Sequence, residues 1–255
     1  MLLVVDIGNT NVTLGLFRGQ DLAGSWRLRT EVHRTADEYA VLLKSLLDGG
    51  HLSSSDIKEA IIASVVPPLV ATFQEALEKH LGVKALVVDV GIRTGVRICT
   101  DNPREVGADR ICNTVAAYRL YGGPAIVIDF GTATTFDVVS EEGEYLGGAI
   151  APGIEVALEA LFKHAAKLPS VELTRPKHAI GKNTVASMQS GLIFGYVGLV
   201  EGIVRRIKRE LGGKARVIAT GGLAPVIVRE TSVVEITSPD LTLVGLRMIH
   251  DLNQT

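Results

Sequence analysis

The sequence predicts an α/β protein built from two copies of one unit, and a repeated segment is the first observation behind this prediction. Residues 2–13 form an apolar run that ends at Asp6, followed by a glycine, small polar side chains and a β-branched run. Residues 125–136 repeat this order around Asp129, about half a chain later. A repeat of such long period indicates a duplicated domain rather than a solenoid of short units.

Composition is the second observation. The 255 residues are 47% hydrophobic but only 5% aromatic, and they include 27 glycines, which suits packed α/β layers with many turns. This length is sufficient for two domains. The net charge of −2 provides no broad basic surface and no polybasic segment. We therefore expect neither a nucleic-acid partner nor a membrane partner.

The cysteines and the N-terminal residues indicate a compartment. Cys99 and Cys112 form no CxxC pair, which disfavours a zinc site and fits a reducing environment. The first apolar run lacks a charged n-region and is broken at Asp6, so it does not resemble a signal peptide. No apolar run reaches the about 18 residues that a membrane span requires. The sequence therefore predicts a cytoplasmic protein.

The elements of the first copy follow from hydrophobic periodicity and turn residues. A capping box at Thr35 and Glu38 begins a helix that Gly49 and Gly50 end. The predicted elements are strands at 2–6, 11–17 and 22–29, this helix, a strand at 59–66, a helix from Pro67 to about Leu81, a strand at 84–89, and a helix with Pro103 in its first turn that carries Val106 to Tyr121.

The second copy repeats this order after Pro124. Three strands followed by alternating helices and strands predict duplicated ribonuclease-H-like domains with a cleft between them. We expect the domains at 1–121 and 122–255, with the last helix able to pack back on the first domain. The predicted elements are strands at 125–129, 134–139 and 144–150, helices at 153–163 and 184–210, a strand at 215–219, a short helix, a strand at 232–236 and a helix at 240–251.

Each repeated segment has the chemistry of a phosphate and cation site. A buried strand delivers Asp6 or Asp129 to its end, and the glycine that follows lets a ligand approach the backbone. Turn amides and small polar side chains can donate hydrogen bonds to phosphate oxygens. An ordinary Asp-Gly hairpin turn is the alternative for a single copy. Two copies at equivalent strand ends favour the phosphate site.

Two further segments carry candidate site residues. Gly221 and Gly222 follow a third apolar strand, where a flat ring or a ribose can lie against the backbone; a close strand-to-helix turn explains them equally well. Gly107–Arg110 places a carboxylate and a guanidinium within one helical turn. Asp109 can accept a proton from a hydroxyl, and Arg110 can pair with a carboxylate or a phosphate. A surface Asp–Arg pair is the alternative.

Four motifs together resemble the type III pantothenate kinase family, which belongs to the acetate and sugar kinase, heat-shock chaperone and actin superfamily. They occur in the family's order and span essentially the whole chain. Gly-Ala-Asp-Arg combined with two Asp-Gly turns is specific to this family, whereas the Asp-Gly turns alone indicate only the superfamily. The motifs are Asp6–Asn11, Asn102–Arg110, Asp129–Thr135 and Thr220–Leu223.

The resemblance implies ATP-dependent phosphorylation of pantothenate to 4'-phosphopantothenate, the first step toward coenzyme A, with Asp109 as the general base. Mg²⁺ is expected to accompany ATP with Asp6 as its anchor, and a monovalent cation, K⁺ or NH4⁺, is implied on Asp129. The expected ATP contacts are Asp6, Ile7, Gly8, Asn9, Thr10, Asn11, Val12, Thr13, Thr132, Gly221 and Gly222. The implied pantothenate contacts are Gly107, Ala108, Asp109, Arg110 and Thr184.

The resemblance also implies a homodimer, and the composition of the helix at 184–210 supports this expectation. Its apolar stripe has glycines close by, so another helix can approach tightly; burial inside the second domain is the alternative. In the dimer, Thr184 would face Gly107–Arg110 of the other chain. The stripe comprises Ile193, Val197, Val200 and Val204, and the glycines are Gly191, Gly195, Gly198 and Gly202.

One residue departs from the family, and other functions compete. Many members have Tyr where this chain has Thr100, so any ring contact with pantothenate made there is lost. The alternatives are a kinase-like transcriptional accessory protein of the same fold, an actin-like or chaperone-like ATPase, and a kinase for another small alcohol. The complete set of Asp6, Asp109 and Asp129 favours an enzyme, and the chain has no room for a peptide-binding domain.

Overall fold

The computed structural model describes residues 1–165 and 167–254, which contain ten strands and seven α-helices. The strands are β1 (Leu2–Ile7), β2 (Asn11–Arg18), β3 (Asp21–Arg29), β4 (Glu59–Ser64), β5 (Ala85–Val87), β6 (Ala125–Phe130), β7 (Ala133–Val139), β8 (Tyr145–Pro152), β9 (Arg216–Thr220) and β10 (Ile236–Thr237). The helices are α1 (Ala36–Gly49), α2 (Pro67–Leu81), α3 (Ala108–Tyr121), α4 (Ile154–His164), α5 (Thr184–Glu210), α6 (Ala224–Val228) and α7 (Leu241–Leu252).

The chain forms two compact units. Unit 1 contains residues 1–96 and 101–116 together with the C-terminal segment that begins at Leu241, and unit 2 contains residues 97–100 and 117–240. The division falls inside α3, and α7 belongs to the unit that contains the N-terminus.

Unit 1 is built on a five-stranded sheet in the order β3-β2-β1-β4-β5. The middle strand β1 is antiparallel to β2 and parallel to β4. Leu3, Val5 and Ile7 of β1 pack into one core cluster with residues of α1 and α2. Leu2 and Val4 point to the opposite face and pack with residues of α3 and α7. Because side chains alternate along a strand, Asp6 lies on the face that α3 and α7 cover.

Unit 2 repeats this arrangement with a five-stranded sheet in the order β10-β9-β6-β7-β8. The middle strand β6 is antiparallel to β7 and parallel to β9, as β1 is to β2 and β4. Ile126, Ile128 and Phe130 of β6 pack with residues of α4, α5 and α6. Asp129 therefore points to the other face of its sheet. The predicted α/β fold class with a duplicated order of elements is confirmed.

Three predicted elements need correction. Pro103 begins a 3-10 turn over Pro103–Glu105 rather than an α-helix, since Val106 has extended backbone angles and α3 starts only at Ala108. The strand predicted at 84–89 is only Ala85–Val87. The strand predicted at 232–236 is the two-residue β10, because only Ile236 and Thr237 pair with β9.

The long helix α5 has the predicted bounds. In the part of the chain that the structure describes, it is the one helix long and apolar enough to cross a membrane by length and composition. Ile193, Val200 and Val204 are buried in the core of unit 2. Core helices of globular proteins pass the same test, so its composition is weak evidence for a membrane span.

Candidate active site

The turn between β1 and β2 is fixed by hydrogen bonds from two directions. Within the turn, the Gly8 amide donates to Asn11 O at 3.0 Å. Thr30, directly after β3, donates its hydroxyl to Gly8 O at 2.7 Å and its amide to Thr10 O at 3.0 Å. The turn is thereby rigid while Asn9, Thr10 and Asn11 remain exposed. A rigid, exposed turn of this kind can present amides to phosphate oxygens.

The predicted ATP-binding segment, residues 6–13, contains side chains of very different burial. The side chains of Ile7 and Val12 are completely buried in the core of unit 1, so only their backbone can contact a nucleotide. Asp6 and Thr13 are half-buried and lie directly opposite each other across β1 and β2. The polar groups of the segment therefore lie at the carboxyl end of β1, where the strand opens into the turn.

Asp109 is the second residue of α3, and its carboxylate is half-buried. Its Oδ1 accepts a hydrogen bond from the Arg110 amide at 2.8 Å. Burial raises the pKa of Asp109 above its usual value, while the amide and the positive charge of Arg110 act in the opposite direction. A raised pKa suits a general base, because proton transfer is most effective when the pKa approaches the working pH.

Asp6 and Asp109 both lie close enough to Cys112, one turn further along α3, for their charges to act on its thiol. The thiol is completely buried, and burial raises its pKa well above the usual value. The negative charges of Asp6 and Asp109 raise this pKa further, in that order. Both carboxylates therefore act on the same thiol, and unit 1 brings the end of β1 and the start of α3 together. No motif in the sequence signals Cys112 or Thr30.

In unit 2, the third glycine turn lies directly against the second Asp. Asp129 pairs with Thr135 on β7 and with Thr220 on β9. A Cβ on Gly221 would come within 2.5 Å of Asp129 Oδ1 and 2.6 Å of the Phe130 amide nitrogen. Gly221 also has a φ of +91°, which L residues rarely adopt. Asp129–Thr135 and Thr220–Leu223, which are far apart in the sequence, thus lie together around Asp129.

The second hairpin turn is one residue shorter than the first. Three residues separate the paired Phe130 and Thr134, whereas four separate the paired Ile7 and Val12. Gly131 N donates to Ala133 O at 3.0 Å, and Gly153 N, just before α4, donates to Thr132 O at 3.0 Å. The turn that carries Thr132 is thereby fixed to the start of α4. The two copies have diverged at the residues that follow the glycine.

Thr184 is the first residue of α5 and lines a cavity that none of the residues around Asp129 lines. Asn183 caps this helix by accepting a hydrogen bond from the Ala186 amide at 2.8 Å. The exposed Thr184 lines an apolar cavity of about 420 Å³ whose other lining residues are Leu161, Leu168, Ser187, Met188, Gly191 and Leu192. Elsewhere in unit 2, Thr100 has its hydroxyl buried without a hydrogen-bond partner among the described residues.

A metal ion at Asp6 or Asp129 has to be held by few protein ligands. Within residues 1–165 and 167–254, no three His, Cys, Asp or Glu side chains come close enough to hold a metal ion. A single carboxylate ligand, such as Asp6 can provide, nevertheless fits Mg²⁺, which is commonly held by one or two carboxylates together with substrate phosphates. At Asp129, the carboxylate oxygen Oδ1 lies in the space that a side chain on Gly221 would fill, so the Asp129 carboxylate is the ligand that this site offers to a cation.

Fold and site together define a class of protein. Two sheets of the same order, each with an Asp at the end of its middle strand and a glycine turn after it, are the frame of the actin-like, ribonuclease-H-like fold. The chain belongs to the type III pantothenate kinase family, whose profile matches residues 2–206. A type III pantothenate kinase from Moorella thermoacetica is 54% identical over 253 residues, which covers 99% of this chain and 100% of that protein.

Solved structures with much lower identity share the fold. A structure described as a putative Baf family transcriptional activator from Campylobacter jejuni matches with a TM-score of 0.62 at 19% identity, covering 99% of this chain and 98% of the other. A ROK hexokinase from Thermus thermophilus matches with a TM-score of 0.52 at 14% identity, covering 100% and 99%. These two likenesses establish the fold alone.

Proposed function

We propose that this protein transfers the terminal phosphate of ATP to pantothenate, giving 4'-phosphopantothenate, and that Asp109 is its general base. The observation that carries this assignment is the environment of Asp109. Its carboxylate is half-buried at the start of α3, has a raised pKa and lies in the same part of unit 1 as Asp6. Membership in the type III pantothenate kinase family supports the choice of acceptor.

Positioning and charge supply most of the catalysis, because phosphoryl transfer passes through a loose transition state. The turn at residues 8–11 holds the ATP phosphates through its amides and small polar side chains. Asp6 anchors Mg²⁺, which when bound neutralises negative charge on the phosphate oxygens. Asp109 orients the primary hydroxyl of pantothenate and takes its proton late, while Gly107, Ala108 and Arg110 bind the rest of the acceptor.

Unit 2 contributes a cation site and further nucleotide contacts. Asp129 holds a monovalent cation, K⁺ or NH4⁺, and Thr132, Gly221 and Gly222 contact ATP. The contact between Gly221 and Asp129 supports this grouping, since a ligand of Asp129 then lies beside the glycine turn. The hydrogen bond from Gly153 supports the role of Thr132 by fixing its turn.

The protein acts as a homodimer whose α5 helices meet, with Thr184 of one chain beside Gly107–Arg110 of the other. A Cβ added at Gly191, Gly195 or Gly198 would meet no atom within 4 Å, so this face of α5 is uncovered in the single chain. Exposed apolar side chains occur nearby in sequence, and they are Leu161, Phe162, Ile180 and Val185.

The two free cysteines fit a cytoplasmic enzyme.

A coupled assay of ATP turnover with and without pantothenate tests the reaction, and Asp109→Asn tests the base. We expect ATP turnover to require pantothenate, and Asp109→Asn to lower kcat by about 10²–10⁴-fold, the usual effect of removing a general base. Asp48→Asn, which changes an exposed carboxylate near the end of α1, is the control. Activity of Asp109→Asn within about threefold of wild type would remove Asp109 from this role.

A further inference from the structure

A row of three side chains crosses the sheet of unit 1 from Asp6 to Arg27. Asp6 on β1 pairs with Thr13 on β2, and Thr13 pairs with Arg27 on β3. Residues that are directly paired across neighbouring strands project from the same face of the sheet. Asp6, Thr13 and Arg27 therefore share one face.

The neighbours of Arg27 along β3 identify that face. Trp26 and Leu28 pack against the core cluster that contains residues of α1 and α2. Arg27 alternates with them and is exposed, so it projects from the opposite face. This is the face on which Asp6 lies, as the positions of Leu2 and Val4 independently require.

Asp6 separates Arg27 from the start of α3. Gly107, just before α3, lies against Val65, which directly follows β4, and β4 is the neighbour of β1 on the side away from β2. Arg27 lies on the other side, about 10 Å from Asp6, since two strand spacings separate them. Across the sheet the order is thus Asp109, Asp6, Thr13 and Arg27, with acidic groups at one end and a cation at the other.

The charge of Arg27 is not used elsewhere in unit 1. Within residues 1–165 and 167–254 its guanidinium has no ion-pair or hydrogen-bond partner. The next arginine along the same strand, Arg29, is paired with Glu31 at 3.3 Å. An unpaired, exposed guanidinium beside a predicted phosphate-binding turn has the geometry to bind a phosphate through two parallel hydrogen bonds.

We propose that Arg27 contacts the terminal phosphate of ATP and stabilises its charge during transfer. This assignment rests on the proposed function, in which the turn at residues 8–11 holds the phosphates and Asp109 holds the acceptor hydroxyl. The acceptor then approaches from the α3 side, and Arg27 meets the phosphate oxygens from the opposite side. Charge spread over those oxygens in the transition state is what an arginine neutralises in other phosphoryl transferases.

Arg27→Gln tests this assignment, with Arg18→Gln as the matched control. Arg18 is an exposed arginine of the same sheet at the far end of β2, away from the turn. We expect Arg27→Gln to lower kcat by about 10²-fold, as removal of one transition-state donor does, and Arg27→Lys to fall between Arg27→Gln and wild type. By calorimetry, Arg27→Gln should bind ATP about 10-fold more weakly and bind ADP with unchanged affinity, because ADP lacks only the terminal phosphate.

The two measurements separate the inference from the proposed function. If the wild type does not phosphorylate pantothenate but Arg27→Gln loses its preference for ATP over ADP, the acceptor assignment fails and the role of Arg27 stands. If the wild type is active and Arg27→Gln equals Arg18→Gln in both measurements, Arg27 has no role. A raised KM for pantothenate with unchanged ATP affinity would also overturn the proposal, since Arg27 would then act on the acceptor.

Discussion

Gly107 leaves open the space in which the carboxylate of Asp109 lies. A Cβ at residue 107 would come within 2.5 Å of Asp109 Oδ1 and 3.3 Å of a Val65 methyl group. The φ of Gly107 is not in the left-handed region, so its backbone conformation is open to other residues. The glycine of Gly-Ala-Asp-Arg is therefore required by the position of the carboxylate rather than by backbone geometry.

Gly107→Ala should fold but lose activity. The atom that the new methyl group meets most closely is the end of a side chain, so Asp109 can rotate away, and the acceptor hydroxyl then loses its base. We expect kcat to fall by about 10²-fold or more, with little change in thermal unfolding. Gly49→Ala, where a Cβ meets nothing within 4 Å, is the control. Wild-type kcat in Gly107→Ala would show that the carboxylate tolerates displacement.

Asp109→Asn should stabilise the protein near neutral pH. Burial raises the pKa of Asp109 in the folded state, so its ionised form costs folding free energy above that pKa. The stabilisation should fade as the pH falls through the raised pKa toward the ordinary value of 3.8, because Asp109 then becomes neutral in the wild type as well. Urea unfolding of both proteins at several pH values measures this. A variant less stable than wild type at pH 7 would contradict the prediction.

Gly221→Ala and Gly213→Ala separate backbone strain from contact with Asp129. Both glycines have positive φ, +91° and +94°, so alanine costs about 1–2 kcal/mol at each. A Cβ at Gly213 meets nothing within 4 Å, whereas at Gly221 it meets Asp129 Oδ1 and the Phe130 backbone. We expect both variants to lose stability and only Gly221→Ala to lose ATP binding, measured by calorimetry. Equal ATP affinities would indicate that the Gly221 turn does not contribute to the nucleotide site.

Activity should depend on the monovalent cation through Asp129. A carboxylate at a strand end beside a glycine turn can hold such an ion, so the wild type should be faster in K⁺ or NH4⁺ than in Na⁺ at equal ionic strength. Asp129→Ala should be slow in all three, because the ligand that distinguishes them is gone. The measurement is the initial rate in each salt. Equal wild-type rates in the three salts would argue against the cation site.

Mixing two inactive variants tests the shared site. Asp109→Asn lacks the base, and Thr184→Arg places a bulky charge at the exposed start of α5. A heterodimer of the two has one intact site, in which Asp109 of one chain meets Thr184 of the other, so co-refolding should restore partial activity. Light scattering at micromolar concentration checks that dimers form. Monomers, or verified heterodimers without activity, would refute the shared-site arrangement.

The sequence predicts the elements of this fold better than the contacts between them. The bounds of α5 agree with the pattern because Asn183 provides a local cap. The start of α3 does not agree with the pattern, because Pro103 is equally compatible with a 3-10 turn. The extended backbone of Val106 separates that turn from the helix. Local patterns fix local hydrogen bonds, and short elements such as β10 depend on pairing that the pattern does not contain.

In the candidate site, too, local features could be predicted from the sequence and long-range contacts could not. Asp6 and Asp129 are recognisable because each interrupts an apolar strand, and that signal is local. The contact of Gly221 with Asp129 is not, since it joins strands nearly a hundred residues apart. The sequence also does not show that the second hairpin turn is one residue shorter, because the two segments match in residue type through the glycine. Only the strand register shows the difference.

The buried thiol of Cys112 gives this enzyme an intrinsic probe of local unfolding. An alkylating reagent reaches it only when α3 separates from its neighbours, among them Gly245 of α7, whose backbone lies against that of Cys112. Cys99 is half-exposed and reacts without such an opening. The ratio of the two alkylation rates therefore reports how often the first unit opens, and a substrate that binds at Asp109 should slow the reaction of Cys112 while leaving that of Cys99 unchanged.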